Sequence, residues 1–212
     1  VDVKNVTVSL KNSTVDYNGQ TQTPELQFSN ADSLNLAQGT HYQITWKPTE
    51  IKDAGTYMGT FSWITEDSGV QNGVNPTSPF IFKINSLDLS TANISTTSDI
   101  LSSDIPSNAT LSTTAMDVSN ESKLKAKIAT KVGNIDLASE ALKQEVTITY
   151  TYTPAVGNNP ASVMVEVKPS TSASNNVVNS RKVSFPVKTD ISNASIALAN
   201  TSESFTYNGN AQ

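Results

Sequence analysis

Lys52–Ile64 reads KDAGTYMGTFSWI. Tyr57, Gly59, Phe61 and Trp63 fall on alternate positions. Successive side chains of a strand point to opposite faces, so this spacing puts the four on one face of a long strand. Lys52–Gly55 ahead of it is turn sequence. Working outward, HYQITWK at His41–Lys47 alternates Tyr42, Ile44 and Trp46 in the same way. FIFKI at Phe80–Ile84 and VTVSL at Val6–Leu10 are two more strands, and ELQF at Glu25–Phe28 is a short one. Tyr17–Gly19 (YNG) is a turn, because Asn and Gly tolerate positive φ. TEDSGVQNGVNPTSP, Thr65–Pro79, is a polar loop rich in Gly, Asn and Pro. Short strands separated by turns predict a β-sandwich over residues 1–85.

The opening of this unit returns near the end of the chain. Asp2–Thr14 (DVKNVTVSLKNST) aligns without a gap on Asp190–Ser202 (DISNASIALANTS), at an offset of 188. Asp2, Asn5, Leu10 and Asn12 match Asp190, Asn193, Leu198 and Asn200. VDYNGQTQ at Val15–Gln22 then meets FTYNGNAQ at Phe205–Gln212. Hydrophobic spacing and turn residues repeat together, which is the signature of a repeat architecture. Residues 190–212 are therefore read as the first strands of a second unit. They hold too little core of their own and are expected to borrow a surface.

Between these copies, residues 86–189 have a different character. After a hydroxyl- and amide-rich stretch, NESKLKAKIATKV places Leu124, Ile128 and Val132 four apart. This predicts a helix with Asn120 as N-cap and Gly133–Asn134 as its stop. Ala138–Val146 (ASEALKQEV) is read as a second short helix. VTITYTYTP, SVMVEVKP and RKVSFPVKT are three strands of an antiparallel sheet, with Pro186 placing the last at an edge. The fold class expected overall is mainly β: a sandwich at 1–85, an α+β module at 86–189, and the start of the next repeat at 190–212.

The Asp-x-Gly-x-Tyr pattern of Asp53–Tyr57 matches the turn before a late strand in immunoglobulin-like sandwiches. There the tyrosine hydroxyl bonds upstream backbone, a tyrosine corner. Tyr57 is read as structural on this ground. An antibody domain carries a cysteine two residues later, where this chain has Gly59. The core must then rest on Trp46, Phe61, Trp63, Phe80 and Phe82. VDYNGQTQTPELQF, LAQGTHYQITW, DAGTYMGTFSWI and FIFKI together resemble the MBG-type repeats of bacterial surface proteins. The matching features are the Tyr17–Gly19 turn with Pro24, Gly39 to Tyr42, Ala54–Tyr57 and Phe80–Ile84. The resemblance covers about 85 residues and resumes at 190. It implies an immunoglobulin-like module on the bacterial cell surface, a piece of a longer extracellular polypeptide built from tandem units.

Composition is consistent with that setting. The chain has no cysteine, which excludes disulfides, thiolate metal sites and a Cys nucleophile. A net charge of -5 and a pI near 4.8 oppose nucleic-acid binding, which needs clustered Lys and Arg. No apolar run reaches the about 20 residues of a membrane helix. His41 is the only histidine, so neither a Ser-His-Asp triad nor a zinc site is expected. Asp53, Asp99 and Asp104 are too sparse for calcium, with Glu66 and Asp67 the nearest to a candidate. Lys4 and Asn85 are the pair considered for an isopeptide cross-link, with solvated side chains the preferred reading. The seven Asn-x-Ser/Thr sequons, at Asn5, Asn12, Asn93, Asn108, Asn120, Asn193 and Asn200, mark surface-compatible stretches. No enzyme, cofactor or metal is expected. The expected role is a stalk or adhesin region, with neighbouring repeats as partners, that projects a distal binding domain. The alternative is that each repeat grips a host glycan or extracellular protein through Thr65–Pro79 or Thr153–Pro160.

Overall fold

The computed structural model describes residues 1–31, 33–65, 69–171 and 175–192. Residues 193–212, and with them most of the expected second unit, lie outside the described residues, as do Glu66 and Asp67. The described residues are mainly β, with two short α-helices and two 3-10 turns, Leu89–Thr91 and Ser102–Asp104. In the first part, β1 (Thr7–Leu10), β2 (Thr14–Asp16), β3 (Leu26–Ser29), β4 (Tyr42–Lys47), β5 (Gly55–Trp63) and β6 (Phe80–Asn85) pair only with one another. β1 and β3 form an antiparallel ribbon. The second sheet runs β2-β6-β5-β4, antiparallel except for β2 alongside β6.

The ribbon packs on the four-stranded sheet because both present an apolar face. Phe28 of β3 lies 5.0 Å from the ring of Tyr42 and 6.1 Å from that of Trp63. Val3, Phe61, Trp63 and Val70 form the buried centre, and each fully buried large side chain contributes about 1.5–3 kcal/mol. The ribbon strands have four residues each and β5 has nine. They cover only part of β5. Tyr57, on the same face as Phe61 and Trp63, belongs with Phe82 and Ile84 to a second, larger core.

That second core is completed by the rest of the chain. Here lie β7 (Leu87–Asp88), β8 (Asn93–Thr96), β9 (Ile100–Leu101), α1 (Ser107–Thr110), β10 (Met116–Asp117), α2 (Ser122–Lys127), β11 (Ile128–Val132), β12 (Ile135–Asp136), β13 (Val146–Thr153), β14 (Ser162–Pro169), β15 (Val177–Val178) and β16 (Arg181–Lys188). A five-stranded sheet of order β10-β13-β14-β16-β9 is its largest element. Val163, Val165 and Val167 of the central β14 are wholly buried, as period-two spacing on a covered face requires. A three-stranded sheet, β12-β11-β8, and the β15-β7 pair complete the strands.

Three expectations for this part need correction. The helix predicted from Asn120 to Val132 covers only Ser122–Lys127, and Glu121 precedes it with no side-chain cap. From Ile128 the backbone is extended and pairs with β8, Ile128 opposite Thr96 and Lys131 opposite Asn93. β-branched Ile128, Thr130 and Val132 favour that strand, and Gly133–Asn134 turns a hairpin into β12. Ala138–Glu145 is a run of turns, not a helix, closed by Leu142 N–H to Ser139 and Val146 N–H to Leu142. β16 is not an edge strand. Its outer neighbour β9 pairs only Val187 and Lys188, however, so Pro186 lies beyond that short ladder.

Candidate functional site at the junction of the two parts

The turn residues singled out in the sequence converge where residues 1–85 meet the rest. The tyrosine corner is present: Tyr57 Oη donates to the Asp53 carbonyl at 2.7 Å. That bond fixes the DAG turn so that Asp53 and Ala54 face Asn176. Asn176 Oδ1 accepts the Ala54 N–H at 2.7 Å, and its Nδ2 donates to Asp53 Oδ1 at 2.9 Å. Asn176 also bonds the Tyr17 hydroxyl. Its main-chain carbonyl accepts Leu87 N–H at 2.7 Å, and the neighbouring Asn175 carbonyl accepts Ser86 Oγ at 2.6 Å. Asn176 is 3% exposed and Tyr17 2%. One buried amide thus serves two turns of the first part and the connection into the second.

The electrostatics follow from burial. Desolvation raises the Tyr17 phenol above its usual value, with the negative charges of Glu145 and Asp53 acting the same way. Glu145 Oε2 is buried with no hydrogen-bond partner among the described residues. Beside Tyr17, Gly19 has φ +79°, and an added Cβ would overlap the carbonyl of Ala141. The YNG turn therefore contacts the 138–145 turns directly, and glycine is required there both by φ and by space.

The remaining candidates are placed elsewhere. His41 lies in the turn before β4, where its Nδ1 accepts Ala37 N–H at 3.0 Å. Asp99 pairs with Lys188 at 2.8 Å. Asp104 is buried, pairs with Lys127 at 2.5 Å and accepts Leu101 N–H at 2.7 Å. Among the described residues no three His, Cys, Asp or Glu side chains are grouped to hold a metal. The Asn85 amide bonds Asp16 at 3.2 Å, and Lys4 lies beside Asp2. Val70 of the Thr65–Pro79 loop is buried in the ribbon core, and Asn75 Oδ1 accepts Trp63 N–H at 2.8 Å. Trp46, named for the core, is only partly buried and covers Gly59, its cross-strand partner; a Cβ there would sit 2.8 Å from the indole.

Asn176 was not among the residues the sequence singled out. Its bond to Ala54 spans 122 positions, so no local pattern marks it. No helix of the described residues is long and apolar enough to cross a membrane. In comparisons with known proteins, no family model, no curated protein and no solved structure matches the chain.

Proposed function

We propose that the chain is a repeat unit of a large bacterial surface protein, with an immunoglobulin-like, MBG-type sandwich at 1–85, a second module at 86–189 and the next repeat opening at 190. It acts as an extended stalk or adhesin region that holds a distal binding domain away from the cell. It is not an enzyme, and its partners are neighbouring repeats. One observation carries this reading: the joint between the two modules is built from the turn motifs of the repeat itself. A stalk transmits reach only if its joints are stiff. Here Tyr17, Asp53, Ala54 and Gly19 are engaged by Asn176 and Ala141, and one apolar core runs across the boundary. Modules that contact mainly their neighbours then stack into a rod.

Small-angle scattering on chains of one, two and three units tests this. The maximum dimension should grow with each unit; a compact shape of unchanged maximum dimension would sink the stalk. The alternative, in which Thr65–Pro79 grips a host glycan or protein, has less support, because Val70 and Asn75 are committed to packing. A glycan array on a single unit, with binding abolished by shortening that loop, would reverse the preference.

A further inference from the structure

The two ends of the repeat match in conformation as well as in sequence. Asp2 Oδ1 accepts the Lys4 N–H at 3.0 Å, and Asp190 Oδ1 accepts the Ser192 N–H at 3.0 Å. Both are Asx turns, at positions 188 apart. Their surroundings differ. The Asp190 N–H donates to Ser102 Oγ at 2.9 Å, and its carboxylate is bonded by Ser103 with Lys127 nearby. The approach to it is held by the parallel pairing of β16 with β9 and by the Lys188–Asp99 ion pair. Among the described residues no serine bonds Asp2. It takes the Asn72 amide at 3.1 Å and borders an open concavity of about 870 Å³ lined by Asp2, Lys4, Asn5, Val6, Thr7 and Asn30.

We propose that this concave face is the docking surface for the Ser102–Ser103 end of a second copy of the unit, joined head to tail. The aspartate at each joint then bonds the serines of the copy before it and the Asn72 amide of the copy it opens. The chemistry allows both at once. A carboxylate offers about four lone-pair sites, enough for the turn N–H, a serine hydroxyl and an amide. Only Thr189 separates the end of β16 from Asp190, so the joint has no slack to act as a flexible linker. The proposal rests on the stalk reading and adds where and how successive units lock.

The test is a tandem chain of residues 1–189 followed directly by 2–212, which sets the second Asp2 at position 190. The chain has no cysteine, so introduced ones are unique labelling sites. Spin labels at Leu111 of the first copy and Val74 of the second, 84% and 77% exposed, report the distance across the joint. A single narrow distance distribution is expected. S102A with S103A in the first copy should broaden it about twofold, as a freed hinge residue does. A broad distribution without substitution, or a narrow one that neither the serine pair nor Asp190→Ala changes, overturns the clamp. Scattering from the same samples separates the two ideas, since a maximum dimension that fails to grow over one unit defeats the stalk itself. A second measurement needs only the chain as it stands. The Asp190 carboxyl, held down to about 2, should titrate closer to 3.8 in the Ser103→Ala chain; an unchanged titration midpoint counts against the serine contact.

Discussion

Asn176→Ala removes one side chain and should loosen the whole joint. The amide is 3% exposed, accepts the Ala54 N–H, donates to Asp53 and bonds the Tyr17 hydroxyl. Losing the acceptor strands the Ala54 N–H at the margin of a packed core, at a cost of about 1–3 kcal/mol. The buried Tyr17 hydroxyl loses its partner for about 1 kcal/mol more. Asp53 is exposed, so water replaces the lost donor at little cost. The Leu87 N–H bond to the main-chain carbonyl survives the substitution. The total is about 2–4 kcal/mol, or about 5–15 °C in Tm at the usual 2–4 °C per kcal/mol for a chain of this length.

Geography makes the assay informative. Both tryptophans, Trp46 and Trp63, precede residue 86, whereas Asn176 follows it. Urea unfolding followed by tryptophan fluorescence therefore reads the effect of a change made in the other part of the chain. A cooperative joint predicts that fluorescence and far-ultraviolet dichroism move to the same lower midpoint. Asn175→Ala is the control, because its side chain is exposed and its carbonyl is kept; it should stay within about 0.5 kcal/mol. If the fluorescence midpoint of Asn176→Ala equals that of the unsubstituted chain while dichroism shows an earlier step, the two parts of the chain unfold independently and the reasoning is refuted.

Gly59→Ala places a methyl 2.8 Å from the Trp46 ring and should cost about 1–3 kcal/mol by overpacking. The denaturation midpoint checks it, and an unchanged midpoint would show that the indole yields freely. Tyr57→Phe removes the 2.7 Å bond to Asp53 and should cost about 1–2 kcal/mol, with the slope of the urea transition unchanged. High pH should act through Tyr17. Its folded phenol titrates above the unfolded value of 10.0, so its contribution is fully present below pH 10 and is lost as pH rises through the folded value. Burial raises the Tyr150 phenol as well, so phenolate absorbance should show a late component from both rings that Tyr17→Phe reduces and does not abolish; a late component left at full amplitude by Tyr17→Phe would contradict the buried site.

Period-two alternation is read directly by the pleat, which is why β4, β5, β6, β13, β14 and β16 were legible in the sequence. The Leu124, Ile128, Val132 spacing was not decisive, because four is one helical turn and also two strand repeats. Non-local pairing of β11 with β8 decided it, helped by the β-branched residues at 128, 130 and 132. Ala138–Val146 is rich in helix formers, yet its Ala141 carbonyl lies against Gly19, so tertiary contact overrode propensity. The tyrosine corner was legible from five residues because donor and acceptor sit four apart. Asn176 had no comparable signature, since what it bonds is brought near only by packing between parts of the chain more than 120 positions apart, 122 for Ala54 and 123 for Asp53.

The DAGTY turn carries two jobs on different atoms, and this makes them separable. The corner uses the Asp53 main-chain carbonyl, accepting from Tyr57 Oη. The joint uses the Asp53 carboxylate and the Ala54 N–H, both engaged by Asn176. Asp53→Ala therefore leaves the corner intact and removes one joint contact, whereas Tyr57→Phe loosens the turn that aims both joint groups. If the joint depends on the turn being held, Tyr57→Phe combined with Asn176→Ala should cost less than the sum of the two single losses. Coupling of that sign arises when one change has already misplaced the groups the other removes. Strict additivity would mean that the turn holds its shape without the corner, and that the motif stabilises the sheet of residues 1–85 without aiming its end at the rest of the chain.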